Sequence, residues 1–135
     1  MEFNDFALGG VTVLVVDNEP EVLAALNVLL SEYHVQVIAV SDGEEGLAQI
    51  QLNKPNVIIC EINMPCMDGY DFIREVRNLP SYRGGQTPAI AFSRFNRMED
   101  RSEARAAGFQ AYLSKPVELD TLLDTIASMA VQLWH

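Results

Sequence analysis

The amino-acid sequence predicts a doubly wound α/β fold on a five-stranded parallel sheet. Three observations carry that expectation. Five short apolar runs alternate along the chain with segments whose apolar residues return at helical spacing. The runs show little internal alternation, the mark of strands covered by helices on both faces. Gly43, Gly69, Gly84-Gly85 and Gly108 fall between the periodic segments, and no long linker or low-complexity stretch interrupts the series.

Element by element, residues 1–10 form a short polar leader and residues 11–133 a single domain. VTVLVV (11–16) is the first strand; the cluster Asp17-Asn18-Glu19-Pro20 turns it into a helix, PEVLAALNVLLSEY. VQVIAV (35–40) precedes a helix at 43–52, NVIICE (56–61) one at 69–79, and PAIAFS (88–93) one at 97–107. QAYLS (110–114) leads to the last helix, 118–133. Leu119, Leu122, Leu123, Ile126, Met129 and Leu133 share one broad face of it, which reads as a core stripe rather than a membrane or cofactor box. Parallel strands separated by helices require right-handed crossovers.

Composition narrows the function classes. A 135-residue chain with 49% hydrophobic and 21% charged residues suits one globular domain with a full core. Nineteen acidic residues against nine basic ones give a net charge of -10, which repels nucleic-acid backbones and anionic membrane surfaces. No apolar run is long enough to span a bilayer, and MEFNDFALGG lacks the basic start and apolar stretch of a secretion signal, so a cytoplasmic location is expected. Cys60 and Cys66 are too few for a disulfide framework and lack metal-ligand spacing.

In doubly wound sheets the ligand site lies beyond the carboxyl ends of the strands. The residues there are Asp17, Asn18 and Glu19 after the first strand, Glu61 at the third, Ser93 and Arg94 at the fourth, and Ser114, Lys115 and Pro116 after the fifth. Side-chain oxygens of Asp17, Asn18 and Glu61, with backbone carbonyls and water, can hold a hard cation such as magnesium. The Ser93 hydroxyl and Lys115 ammonium can bind phosphoryl oxygens. Each feature has a plainer reading. Asn18 or Asp17 can be the helix N-cap, with Pro20 in the first turn and Glu19 and Glu21 favourable to the dipole; residues 17–21 alone favour this. Lys115-Pro116 can be a turn with a solvated lysine, and Ser93 can cap a strand end.

Together and in this order, VLVVDNEP (13–20), ICEINMPCMDGY (59–70), AIAFS (89–93) and AYLSKP (111–116) resemble the receiver domain of bacterial two-component response regulators. The resemblance covers nearly the whole chain, and the NMPCMDG loop is its most specific piece. It implies the flavodoxin-like (βα)5 sheet with strand order 2-1-3-4-5. It also implies that Asp17 and Asn18 take the places of the metal-binding acidic pair and Glu61 that of the phospho-accepting aspartate. By the same resemblance Ser93 is the hydroxyl residue, Tyr112 the aromatic switch residue, Lys115 the lysine, and the Asn63 carbonyl a metal ligand. The Lys115-Pro116 bond is cis in most of the family.

Two departures from the family pattern stand out. Glu61 replaces the acceptor aspartate, and its carboxylate projects roughly one bond length further into the space for magnesium and the phosphoryl group. A misplacement of about 1 Å costs on the order of a hundredfold in rate. Asn18 removes one negative charge from the metal set. Magnesium binding is therefore expected to be weakened and no cofactor to be required. The longer carboxylate also suggests that Glu61 pairs with Lys115 and partly mimics a phosphoryl group near Ser93, with fewer charges and oxygens; the alternative is a purely stabilising lysine contact. Arg94 stands where the family commonly has a small residue, and covers the pocket, pairs with Glu61 or Asp17, or is simply solvated.

The leading functional reading is a non-enzymatic binding module, a pseudo-receiver acting by protein contact. A histidine kinase, phosphotransfer protein or output protein would be its partner. The resemblance places the contact face on the fourth helix, fifth strand and fifth helix, roughly residues 95–133 with Phe95, Met98 and Tyr112; many members also form homodimers there. The competing reading is a working phosphoacceptor that takes its phosphoryl group from a histidine kinase or phosphotransfer protein. A flavodoxin-like cofactor binder is disfavoured, because an acidic cluster stands where anionic phosphates need amides. With no output domain after the fifth helix, the chain is expected either to signal by contact or to be a segment of a longer hybrid kinase or regulator.

Overall fold

The computed structural model describes residues 8–131. Its elements are β1 (Thr12–Val16), α1 (Pro20–Ser31), β2 (Gln36–Val40), α2 (Gly43–Asn53), β3 (Val57–Glu61), α3 (Gly69–Arg77), β4 (Ala89–Ser93), α4 (Met98–Ala107), β5 (Ala111–Ser114) and α5 (Leu119–Val131). The strands pair in parallel in the order β2-β1-β3-β4-β5, so the predicted doubly wound sheet is the one formed. Each strand begins one residue later than read from the sequence. The third helix stops at Arg77 rather than 79, because Leu79 closes a tighter turn onto Val76 and Pro80 cannot continue the helix. Leu133, assigned to the last helix's core stripe, lies outside the described residues.

Successive strand residues face opposite sides, so a strand apolar throughout fills two cores at once. Val13, Val15, Val57, Ile59, Ile90 and Phe92 pack toward α1 and α5, against Leu26, Leu30, Leu122, Leu123 and Ile126. Leu14, Val16, Ile58, Cys60, Ala89 and Ala91 face Ile50 of α2, Phe72, Ile73 and Val76 of α3, and Ala104 and Ala107 of α4. Full burial of one such aliphatic side chain contributes about 1.5–3 kcal/mol, and both layers lie within this single chain. Strand β2, at the edge, is correspondingly less covered. Among the described residues no helix is long and apolar enough to cross a membrane.

Two local devices fix the carboxyl ends of the central strands. Asp68 caps α3 through the Asp71 amide, with Asp71 returning the bond in a capping box. Directly after it, a Cβ on Gly69 would lie 2.6 Å from the Glu61 carbonyl oxygen and 2.7 Å from the Ile62 Cα. Only glycine lets α3 start this close to the end of β3. On the far side of the same core, the half-buried Arg77 guanidinium donates to the carbonyls of Gly85, Thr87 and Gly108 and to Gln110 Oε1, at 2.7–3.0 Å. It ties the end of α3 to the segments that enter β4 and β5.

Candidate functional site

The carboxyl ends of β1, β3, β4 and β5 converge on one ammonium group. Lys115 Nζ lies 2.7 Å from Glu61 Oε1, 2.9 Å from Asp17 Oδ2 and 3.0 Å from Glu19 Oε2. Its side chain is 6% exposed, and Asp17 and Glu61 are buried. Burial alone would lower the lysine's pKa, but its hydrogen bonds to Glu61, Asp17 and Glu19 outweigh this and hold it above the ordinary value. Burial pushes Asp17 up despite its lysine partner, whereas the Lys115 hydrogen bond pulls the less enclosed Glu19 down.

The β1–α1 loop explains why Glu19 belongs to this group. Asp17 Oδ1 accepts the Glu19 N–H at 2.9 Å, a side-chain-to-backbone turn spanning two residues. That turn leaves Asn18 exposed and brings Glu19 into the cluster. The capping expectation is corrected here: Glu19, not Asn18 or Asp17, occupies the N-cap position of α1, and its carboxylate makes no capping bond. Charge-assisted contacts to two cations are stronger than one bond to an amide, which is why the carboxylate turns away from the helix. Pro20 takes the first helical position, where its missing N–H costs nothing.

Glu61 is held from both sides. Oε1 meets Lys115, while Oε2 accepts the N–H groups of Ile62 at 2.7 Å and Asn63 at 3.0 Å. The extra methylene is absorbed by folding the carboxylate back onto its own following backbone, so Oε1 pairs with Lys115 while Oε2 is taken by two amides. The buried Ser93 hydroxyl instead accepts the Phe95 N–H at 3.3 Å. Tyr112 donates its hydroxyl to the Phe95 carbonyl, and burial raises its pKa. Asn63 is exposed, with its N–H on Glu61, and the Lys115-Pro116 bond is cis.

Arg94 pairs with neither Glu61 nor Asp17. Its Nη1 lies 2.9 Å from Glu19 Oε1 and its Nη2 3.3 Å from Glu19 Oε2, which corrects the expected partner. Glu61 and Asp17 already have their oxygens on Lys115 and the backbone; Glu19 sits at the rim, within reach of a 67% exposed side chain. Sequence reasoning names Glu19 among the strand-end residues but leaves it out of the metal set, reading it as favourable to the helix dipole. The available signal was the Asp-x-Glu spacing, since an aspartate turn reorients the second residue after it.

The response regulator receiver domain family model matches residues 13–127. The chain belongs to this family. Protein PilG of Pseudomonas aeruginosa is 32% identical to this receiver over 117 residues, covering 87% of this chain and 85% of PilG. An uncharacterized 14.6 kDa protein of Leptolyngbya boryana is 35% identical over 82% of this chain and 83% of its own. The solved structure of Vibrio cholerae chemotaxis protein CheY4 superposes with a TM-score of 0.81 at 31% identity, covering 88% of this receiver and 98% of CheY4. This is a two-component receiver domain with chemotaxis-type relatives. Receiver domains bind Mg2+ at an acidic pocket, and the residues here fit such an ion: Asp17, Glu19 and Glu61 place carboxylate oxygens within 4.8 Å of one another, an all-oxygen donor set suited to a hard cation. When bound, the ion would supply charge neutralisation for an incoming phosphoryl group.

Proposed function

We propose that this receiver signals by protein–protein contact and does not require aspartyl phosphorylation. The observation that carries the reading is Glu61, whose carboxylate stands in the acceptor place already bound to Lys115 and to two backbone amides. A nucleophile so engaged must break charge-assisted bonds before it can attack, and the longer side chain moves its oxygens off the in-line path. Ser93 and Tyr112 keep the hydroxyl and aromatic switch roles but are bonded through Phe95 rather than to Glu61. Asp17, Glu19 and Glu61, with the Asn63 carbonyl, are the weakened Mg2+ set.

The docking face is α4-β5-α5, which takes a histidine kinase, phosphotransfer protein, output protein or second copy in the cytoplasm. Phe95 is 55% and Met98 81% exposed there, which supports an interface. Arginines at helical spacing run along α4 from the residue just before it. Arg97, Arg101 and Arg105 recur at intervals of four, and Arg101 lies over the Tyr112 ring at 5.1 Å. Arg97 is paired with Asp100 at 3.1 Å and Glu99 at 3.8 Å, so Arg101 and Arg105 carry the positive character of this face. Such a face recognises a partner by charge sign as well as by its apolar anchors.

A second reading, a working phosphoacceptor, draws support from the three-carboxylate cluster itself. Intact-mass analysis after incubation with Mg2+ and acetyl phosphate separates the two, with Glu61→Asp in parallel. The contact reading expects no mass gain in the parent and a phosphoryl adduct in Glu61→Asp. A base-labile adduct on the parent overturns it.

A further inference from the structure

We propose that Arg94 is a displaceable counter-cation: a divalent cation entering the Asp17, Glu19 and Glu61 cluster takes Glu19 from Arg94, and the freed arginine releases the β4–α4 loop that carries Phe95. The starting point is the allocation of oxygens. Each of the three carboxylates gives one oxygen to Lys115, and Arg94 meets both oxygens of Glu19, Oε1 at 2.9 Å and the Lys115-bound Oε2 at 3.3 Å. A cation drawn to this cluster must therefore replace one of the two bases at Glu19.

Exposure and contact number decide which base yields. Lys115 is 6% exposed and touches three acids, whereas Arg94 is 67% exposed and touches one. A solvent-exposed ion pair is screened by water and exchanges more readily than one enclosed among three acids. Charge points the same way. Three carboxylates with Lys115 and Arg94 leave one net negative charge; a divalent ion added to all five would overshoot to one net positive, and departure of Arg94 restores neutrality.

The consequence falls on the loop. Arg94 follows the buried Ser93 and precedes Phe95, whose N–H is on Ser93 and whose carbonyl accepts the Tyr112 hydroxyl. The Glu19–Arg94 pair is the tie that fastens this loop across the pocket to the start of α1. Cation occupancy would thus reach the half-exposed Phe95 without any phosphoryl group, giving the receiver an ionic input. What Phe95 then presents to a partner rests on the contact reading above.

The test is calorimetric titration of the full chain with MgCl2, paired with 15N-resolved NMR of the backbone amides and no phosphodonor present. In the parent, the Phe95 and Asn96 amide signals are expected to move as the cluster fills. Arg94→Ala should bind Mg2+ about three- to fivefold more tightly, the gain expected from removing a competing exposed ion pair. Its Phe95 amide should no longer respond to the ion. Glu19→Gln should weaken binding by about tenfold or more and remove the Phe95 response. Unchanged affinity in Arg94→Ala, a static Phe95 signal in the Mg2+-saturated parent, or failure of both parent and Arg94→Ala to bind Mg2+ each overturns the proposal. A parent found to accept a phosphoryl group would sink the contact reading while leaving these titrations standing.

Discussion

Two enclosed cations, Lys115 and Arg77, are treated in opposite ways by this fold. Lys115 sits among three carboxylates at the carboxyl end of the sheet. Arg77, on the far side of the α2-α3-α4 core, makes all its hydrogen bonds to neutral oxygens, three backbone carbonyls and the Gln110 amide. Burial pulls the Arg77 pKa down, whereas the acids around Lys115 overcome burial and raise its value. A cation satisfied by fixed carbonyls is a staple, with no excess charge for a ligand to compete for. One surrounded by excess carboxylate leaves net negative charge beside it, which other cations can answer.

The sharpest way to break this comparison is to remove each cation in turn. Lys115→Met leaves three acids crowded together and is expected to cost about 3 kcal/mol in urea unfolding, the scale of breaking an enclosed charge pair. Added Mg2+ should restore part of that loss. Arg77→Met is expected to cost about 2 kcal/mol, since buried carbonyls lose a charged donor, and Mg2+ should restore none of it. Equal behaviour of the two variants toward Mg2+ would erase the distinction.

Alkaline pH sharpens the same contrast. The folded pKa of Lys115 is raised, so its contribution to stability is complete below the ordinary lysine value of 10.5 and is lost as pH rises through the higher folded value. Thermal melts in this alkaline range should fall more steeply for the parent than for Lys115→Met. In acid, Asp17 and Glu19 shift in opposite directions and partly offset each other. Glu19 contributes stability above its unfolded value and loses it as pH falls through the lower folded value; Asp17, with its raised pKa, acts in the reverse sense.

The smallest effect on stability belongs to the proposed docking face. Met98→Glu changes an 81% exposed side chain and should shift unfolding by no more than about 0.5 kcal/mol. It should still weaken capture of a purified cognate kinase or output protein measured by surface binding. Retained binding would move the interface off α4.

The strands were legible in the sequence because each is an uninterrupted apolar run, such as VIIC in β3, and burial on both faces tolerates little else. The strand-end residues were legible for a related reason, since polar groups such as Asp17, Glu61 and Ser93 directly follow or end those runs. Glu19 and Arg94 were harder. Both lie in connecting loops, and neither the direction of Glu19 nor the partner of Arg94 follows from spacing along the chain. The Asp17 turn reverses the local geometry, so the acid meant for a helix end reaches Lys115 instead.

By itself, then, the sequence determined the α/β alternation, the two-faced core and the set of polar residues at the strand ends, because these follow from hydrophobic periodicity and chain order. Only the tertiary structure decided how the charges are shared: Lys115 among three acids, Arg94 on Glu19, and Glu61 folded back onto the Ile62 and Asn63 amides. Coulomb interactions and hydrogen bonds act over a few ångströms between residues as far apart in sequence as Asp17 and Lys115. Their pairing is settled by which loops the packed sheet brings together.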